Sequence, residues 1–128
     1  MKKTLVFSLI AMILVTACKK DKEELSIKGK WTVDNYAYKE YVNNALTGTA
    51  TLPGDGTTFD FQNNGNVVIS YSGGSVESYP YTIKPDSKVE FDGDTFEIRN
   101  LTASSVTLFL REDYAPGEYD EVSINLKK

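Results

Sequence analysis

An all-β domain, folded as an antiparallel up-and-down meander of about eight strands over residues 25–128, is predicted by three features of this sequence. From Leu25 onward apolar residues recur with a period of two instead of 3.6. The gaps between these runs are filled by residues that tolerate positive φ or preset a turn. The runs follow one another through connections too short for the crossovers of parallel strands. At 128 residues, 41% hydrophobic and 25% charged, the chain has the size and composition of one ordinary globular domain.

The elements can be read in order. Gly29-Lys30-Trp31 opens a first strand that carries Trp31 and Val33 and then, after a parity change near Asn35, Tyr36 and Tyr38. A bulge at Asn35 accounts for such a change. Asn43-Asn44 either reverses the chain into a strand over Leu46 to Leu52 or belongs to one long first loop from Glu40 to Gly56. In Thr57 to Gln62, Phe59 and Phe61 share one face, with Thr58 and Asp60 on the other. One-sided runs follow in Val67/Ile69/Tyr71, Tyr79/Tyr81/Ile83, Val89/Phe91, Phe96/Ile98, Val106/Leu108/Leu110 and Val122/Ile124/Leu126. Between them stand Asn63-Asn64-Gly65, Gly73-Gly74, Pro85-Asp86-Ser87, Asp92-Gly93, Ala103-Ser104 and Pro116-Gly117. Asp92-Gly93 is the strongest two-residue hairpin signal among them.

Strands with one apolar face require closure into a β-barrel or a second sheet, as in a two-sheet β-sandwich. Pro80 points to an edge or a bulge in its strand, and so to incomplete closure.

The N-terminus has a different character. Met1-Lys2-Lys3, an apolar run from Leu5 to Val15 broken by Ser8, and the small residues before Cys18 have the layout of a signal peptide over residues 1–17. The run is shorter than the roughly 20 apolar residues of a transmembrane helix. Val15-Thr16-Ala17-Cys18 resembles the lipobox of bacterial lipoproteins. That resemblance implies diacylglyceryl transfer to the Cys18 sulfur, cleavage after Ala17 and acylation of the new amino terminus, with palmitate-type chains as the membrane anchor. Residues 18–24 then form a lipidated cysteine and a charged tether, Lys19-Lys20-Asp21-Lys22-Glu23-Glu24. This hexad is either a plain spacer or, by its likeness to the export signals of some Gram-negative lipoproteins, an address for the cell surface. The expected location is the outer membrane, lipid-anchored, on its periplasmic face or at the cell surface.

Composition excludes several functions. With no His and one Cys, the chain holds no Ser-His-Asp or Cys-His machinery, no zinc finger and no internal disulfide. Cleavage after Ala17 removes two of the 14 basic residues and none of the 18 acidic ones, so the mature chain carries a net charge of −6. No cluster of Lys and Arg in the domain suits nucleic acid. Asp92-Gly93-Asp94, with Glu90 and Glu97 nearby, lacks the ligand spacing of a calcium loop, so no metal is expected. A phosphate loop and a Gly-x-Ser-x-Gly elbow are absent. The expectation is a protein that is not an enzyme and needs no cofactor beyond the covalent lipid on Cys18.

Gly29-Lys30-Trp31 at the head of the first strand, after a short possible helical turn over Glu23 to Ile27, together with the meander, resembles the lipocalin pattern. The nearest likeness is to the lipocalin-like domains of Gram-negative lipoproteins. It implies a lipocalin-like β-barrel, a tryptophan closing its floor and an arginine packed on that tryptophan, for which Arg111 is the candidate and Arg99 the other arginine. Where lipocalins carry Thr-Asp-x-x-Tyr, this chain has Asn100 to Ser105. Such a barrel binds a small hydrophobic or amphipathic ligand, and Trp31, Tyr36, Tyr38, Tyr71, Tyr79 and Tyr81 are the candidate lining residues. Tyrosine offers an apolar body with a polar tip; the competing reading packs the same tyrosines as core. A non-enzymatic interaction module that meets a protein or glycan through its loops or outer face is the alternative function.

Overall fold

The structure, a computed structural model, describes residues 25–128. The signal peptide, Cys18 and the charged tether lie outside the described residues. The described residues form nine strands: β1 Gly29–Val42, β2 Ala45–Pro53, β3 Thr58–Phe61, β4 Asn66–Ser70, β5 Val76–Lys84, β6 Lys88–Phe91, β7 Asp94–Arg99, β8 Ser105–Ala115 and β9 Glu118–Lys127. All pairings are antiparallel, in the order β2-β1-β3-β4-β5-β6-β7-β8-β9, and β9 returns to pair with β1. Eight strands therefore close an up-and-down barrel, and β2 is added outside the ring. Closure rules out the sandwich.

β2 exists because Asn43 and Asn44 both adopt positive φ, at 51° and 60°, and reverse the chain within two residues. Asp92 and Gly93 make a second reversal with positive φ at both central positions. Such turns match the right-handed twist of the strands they join. The region from Glu40 to Gly56 is thus a hairpin and not a long loop. Leu25 to Lys28 show no helical turn; residues 23 and 24 lie outside the described residues.

The parity change in β1 is a bulge, seen as a register shift between Val33 and Asn35 against β9. It lets Trp31 and Val33 below it and Tyr36 and Tyr38 above it face the same side of the sheet. Where β2 gives way to β3, the chain presses onto this bulge: Gly54 N–H donates to Asp34 O at 2.8 Å, and Val33 N–H donates to Thr57 O at 2.9 Å. Pro80 does not open the barrel. It is the last β5 residue paired with β4, and Tyr81 is the first paired with β6, so its missing N–H falls where the strand changes partner.

The two ends of the barrel differ. At the floor, Trp31 has no exposed surface and its indole N–H donates to Ile27 O at 2.7 Å. The cation over its ring is Lys128, with Nζ 4.6 Å from the centroid. Arg111 instead lies 3.7 Å over Tyr119, and Arg99 lies 3.5 Å over Phe109. The C-terminal lysine reaches the floor because β9 ends there, whereas both arginines sit on the outer face of their strands. Above the floor, Phe61, Phe59, Phe91 and Phe96 fill the middle of the barrel, with ring centroids 4.8 to 6.3 Å apart. Val67, Val89 and Leu108 are fully buried among them.

β1, β8 and β9 are ten to fourteen residues long, against four or five for β3, β4 and β6. Their excess length, with β2, forms a four-stranded flap that rises beyond the opposite end, the mouth.

A Cβ built on Gly54 would lie 2.1 Å from Val33 O, whereas one on Gly73 meets nothing within 4 Å. Gly54→Ala should therefore cost about 1–3 kcal/mol through forced backbone displacement, and Gly73→Ala less than about 0.5 kcal/mol. Urea unfolding of the two variants would measure the difference.

Candidate functional site

The mouth is built by residues from four places in the chain. Tyr36 and Tyr38 come from β1 above its bulge, Tyr71 from the end of β4, and Glu77 and Tyr79 from the start of β5. Asp92 and Asp94 come from the β6–β7 hairpin. Period-two geometry turns the side chains of Tyr36, Tyr79, Glu77 and Asp94 inward, in phase with the buried residues of their strands. Tyr36 and Tyr79 pack on the core from above. Tyr38 and Tyr71 are more open, 38% and 40% exposed.

Glu77 is the hub of this cluster. The Tyr71 and Tyr79 hydroxyls both donate to its Oε2, at 3.1 and 2.5 Å. The bond to the Glu77 carboxylate, with some burial and the charge of Asp92, pushes the Tyr79 phenol from its ordinary value of 10.0 up to about 12. Burial first, and then Glu77, also raise Tyr71. Burial raises Tyr36, opposed in part by the Thr57 hydroxyl beside it. Asp94 is raised by burial and by the neighbouring Glu112 and Asp92.

Thr57 is 1% exposed, and its Oγ1, beside the Tyr36 phenol and the Asp55 carboxylate, completes no hydrogen bond of good geometry. The nearby Thr57 hydroxyl and the Thr57 N–H, which donates to Asp55 Oδ1 at 3.1 Å, hold Asp55 below the usual carboxylate range.

The cluster continues onto the inner side of the flap. There a groove of about 210 Å³ runs past Tyr38, Lys39, Glu40, Gly48, Thr49, Ala50 and Asp120. By strand parity, Glu40, Glu77, Asp94, Glu112 and Asp120 all face the inner side. The basic residues of this end among the described residues, Lys39 and Arg111, lie on the outer side, each opposite Glu121. An inward surface of tyrosine rings and five carboxylates, with Lys39 as the one cation lining its groove among the described residues, attracts cations by Coulomb force and through the ring faces.

Four of the six residues expected to line a site are brought to the mouth: Tyr36, Tyr38, Tyr71 and Tyr79. Trp31 is sealed into the floor. Tyr81 turns its hydroxyl toward the floor end, donating to Gln62 O at 2.7 Å, and packs edge-on against Phe61. In the sequence Asp92 and Asp94 stand out only as an unsuited calcium loop, and Glu77 does not stand out at all. Their signal was present in part: Glu77 and Asp94 share parity with Tyr79 and Phe96, so acids sit at the mouth end of otherwise apolar faces. Among the described residues no group of three His, Cys, Asp or Glu is placed to hold a metal.

Replacing Glu77 by Gln should bring the Tyr79 phenol down from about 12 toward 10.0 while leaving Tyr114, raised to about 12 by Asp120 and Glu112, in place. Because the folded value is the raised one, the contribution of Tyr79 to stability is present below about pH 10 and is lost as pH rises through about 12. Titration of phenolate absorbance in the two proteins measures this.

Comparison with known proteins matches this chain to no family model, no curated protein and no solved structure.

Proposed function

We propose that this chain is a lipid-anchored outer-membrane lipoprotein whose lipocalin-like barrel binds a small amphipathic ligand at its mouth, without catalysis. The observation that carries the reading is the cluster of Tyr36, Tyr71 and Tyr79 around Glu77, with Asp92 and Asp94 alongside. The phenylalanines packed below it leave the ligand at the mouth and in the flap groove instead of deep in the barrel. The chemistry of the lining selects the head group. An alkylammonium finds ring faces and carboxylates, whereas a fatty-acid carboxylate meets five inward acids against one groove cation, Lys39.

The anchor belongs to the same proposal. The described chain begins at the floor, so a tether from Cys18 leaves the barrel at the end opposite the mouth. Two or more acyl chains hold a protein stably on a bilayer where one is marginal. Mass spectrometry of the N-terminal peptide from host membranes should find Cys18 as the first residue, carrying diacylglycerol. An unmodified Cys18, or cleavage elsewhere, would contradict the anchor.

For the ligand, decyltrimethylammonium is the probe, with decanoate as its counterpart of opposite charge. Calorimetry should find saturable binding of the cation and not of the anion. Tyr79→Ala and Glu77→Gln should each weaken it by about fivefold, since a cation–π contact and an ion pair at such a site are each worth on the order of 1 kcal/mol. Equal binding of both probes, or none of the cation, would remove the proposal.

A further inference from the structure

The flap has two free edges, and they are not alike. On one side β8 runs past its last β7 partner, and the chain there reads Arg111-Glu112-Asp113. Charges on an edge strand are the usual protection against pairing with another chain. On the other side β2, Ala45-Leu46-Thr47-Gly48-Thr49-Ala50-Thr51-Leu52-Pro53, is last in the sheet order and carries no charge. It is the longer exposed edge, nearly all of it open to solvent, with Leu46 and Leu52 about half exposed. Pro53 breaks only its end.

The sequence of β2 has a second property. About Thr49 it reads nearly the same in both directions: Gly48 and Ala50 flank it, then Thr47 and Thr51, then Leu46 and Leu52. Two copies of such a strand, antiparallel and related by a two-fold axis through Thr49, place Thr49 against Thr49, Gly48 against Ala50 and Thr47 against Thr51, while Leu46 lies beyond the bulge. Threonine pairs across an antiparallel ladder are favourable, and a two-fold interface requires this self-complementarity. Gly48 fits the same picture. It does not adopt positive φ, and a Cβ there would meet nothing closer than 3.9 Å, so the monomer does not require glycine. Glycine inside a strand often marks the close approach of another backbone. The register shift of β2 against β1 makes Thr47 an extra residue between Gly48 and Leu46, its hydroxyl donating to Glu40 O at 3.2 Å, so the regular part of the edge runs from Gly48 to Leu52 with Thr49 inside it.

We propose that β2 is a self-association edge, and that two copies of this chain join their sheets antiparallel through Ala45–Pro53 with Thr49 on the axis. The symmetry turns the acidic mouths to opposite ends of the dimer, which keeps their like charges apart. It also sets the two floors at opposite ends. If the chain is anchored at Cys18, the seven residues of each tether, up to about 24 Å when extended, reach one bilayer with the dimer lying flat.

The test is cross-linking in the membranes of a Gram-negative host that expresses the full chain. The unsubstituted chain, with Cys18 as its one cysteine, gives the baseline. Directly opposed residues lie about 4.5–5.5 Å apart, within disulfide range. Thr49→Cys should therefore double in mass on mild oxidation. Thr47→Cys and Thr51→Cys, each about 13 Å from its own copy in this register, should stay monomeric alone and link to each other when co-expressed. All three positions are exposed; Thr47 alone of them gives up a side-chain hydrogen bond, to Glu40 O, while Thr49→Cys and Thr51→Cys leave the fold untouched. Thr49→Lys should shift sedimentation of the purified chain from dimer to monomer. A monomeric Thr49→Cys, linkage no greater than that of Asp113→Cys on the other edge, linkage to a protein of different size, or a dimer untouched by Thr49→Lys would each overturn the proposal.

Discussion

Strand β1 has two edges and three partners. Along one edge it pairs with β9 from Thr32 to Tyr41, the contact that closes the barrel. Along the other it serves β3 from Gly29 to Thr32 and then β2 from Asn35 onward. No regular strand could do this and still keep Trp31, Val33, Tyr36 and Tyr38 on the inner side, because the side-chain period of two fixes parity. The extra residue at Asp34 resolves the conflict. Its carbonyl accepts the Gly54 N–H, so the β2–β3 junction lies against the bulge, and Thr57 and Asp55 are carried to the side of Tyr36. Floor, mouth and flap all depend on that one irregular residue.

Below the bulge the barrel is a packed core. A tryptophan or phenylalanine buried there contributes on the order of 1.5–3 kcal/mol by removal of apolar surface from water, and Phe61 and Phe91 add edge contacts at 5.8 Å. Lys128 shields the floor from outside without placing a charge in the core. Above the bulge the same inward positions hold tyrosine and carboxylate, because the flap strands outrun their neighbours and their inner side is wet. The outer side of the flap tip is held by other means: Tyr41 stacks on Tyr119 at 4.6 Å, with Arg111 over the same ring. One set of strands thus makes a dry lower half for stability and a polar upper half for contact.

Most of the barrel was legible because alternation is a local signal. The faces of β3 to β9, the bulge near Asn35 and the Asp92-Gly93 hairpin follow from residue type and spacing alone. What escaped was set by length and distance. Nothing local says that β8 continues past β7, since Arg111 to Ala115 alternate as well outside a barrel as inside one. Lys128 over Trp31 joins residues 97 positions apart, and an arginine was expected there only from a family likeness. Of the site, the tyrosines of the mouth were visible as strand residues of one parity. Tyr81 was grouped with them because parity gives the face of a strand and not its height, and its height is the floor half. Glu77 was missed for the complementary reason: an acid on an apolar face has meaning only once the mouth is known to lie beside it.

The central claim is that this barrel is sealed below and receptive above. Its single tryptophan is sealed into the floor and most of its candidate tyrosines ring the mouth, so nuclear magnetic resonance can watch both at once during titration with decyltrimethylammonium. Saturable shifts of the Tyr36, Tyr71 and Tyr79 ring signals, with the Trp31 indole N–H signal unmoved, are the result expected. Movement of the Trp31 signal with the tyrosines silent would place the ligand inside the core and contradict the account.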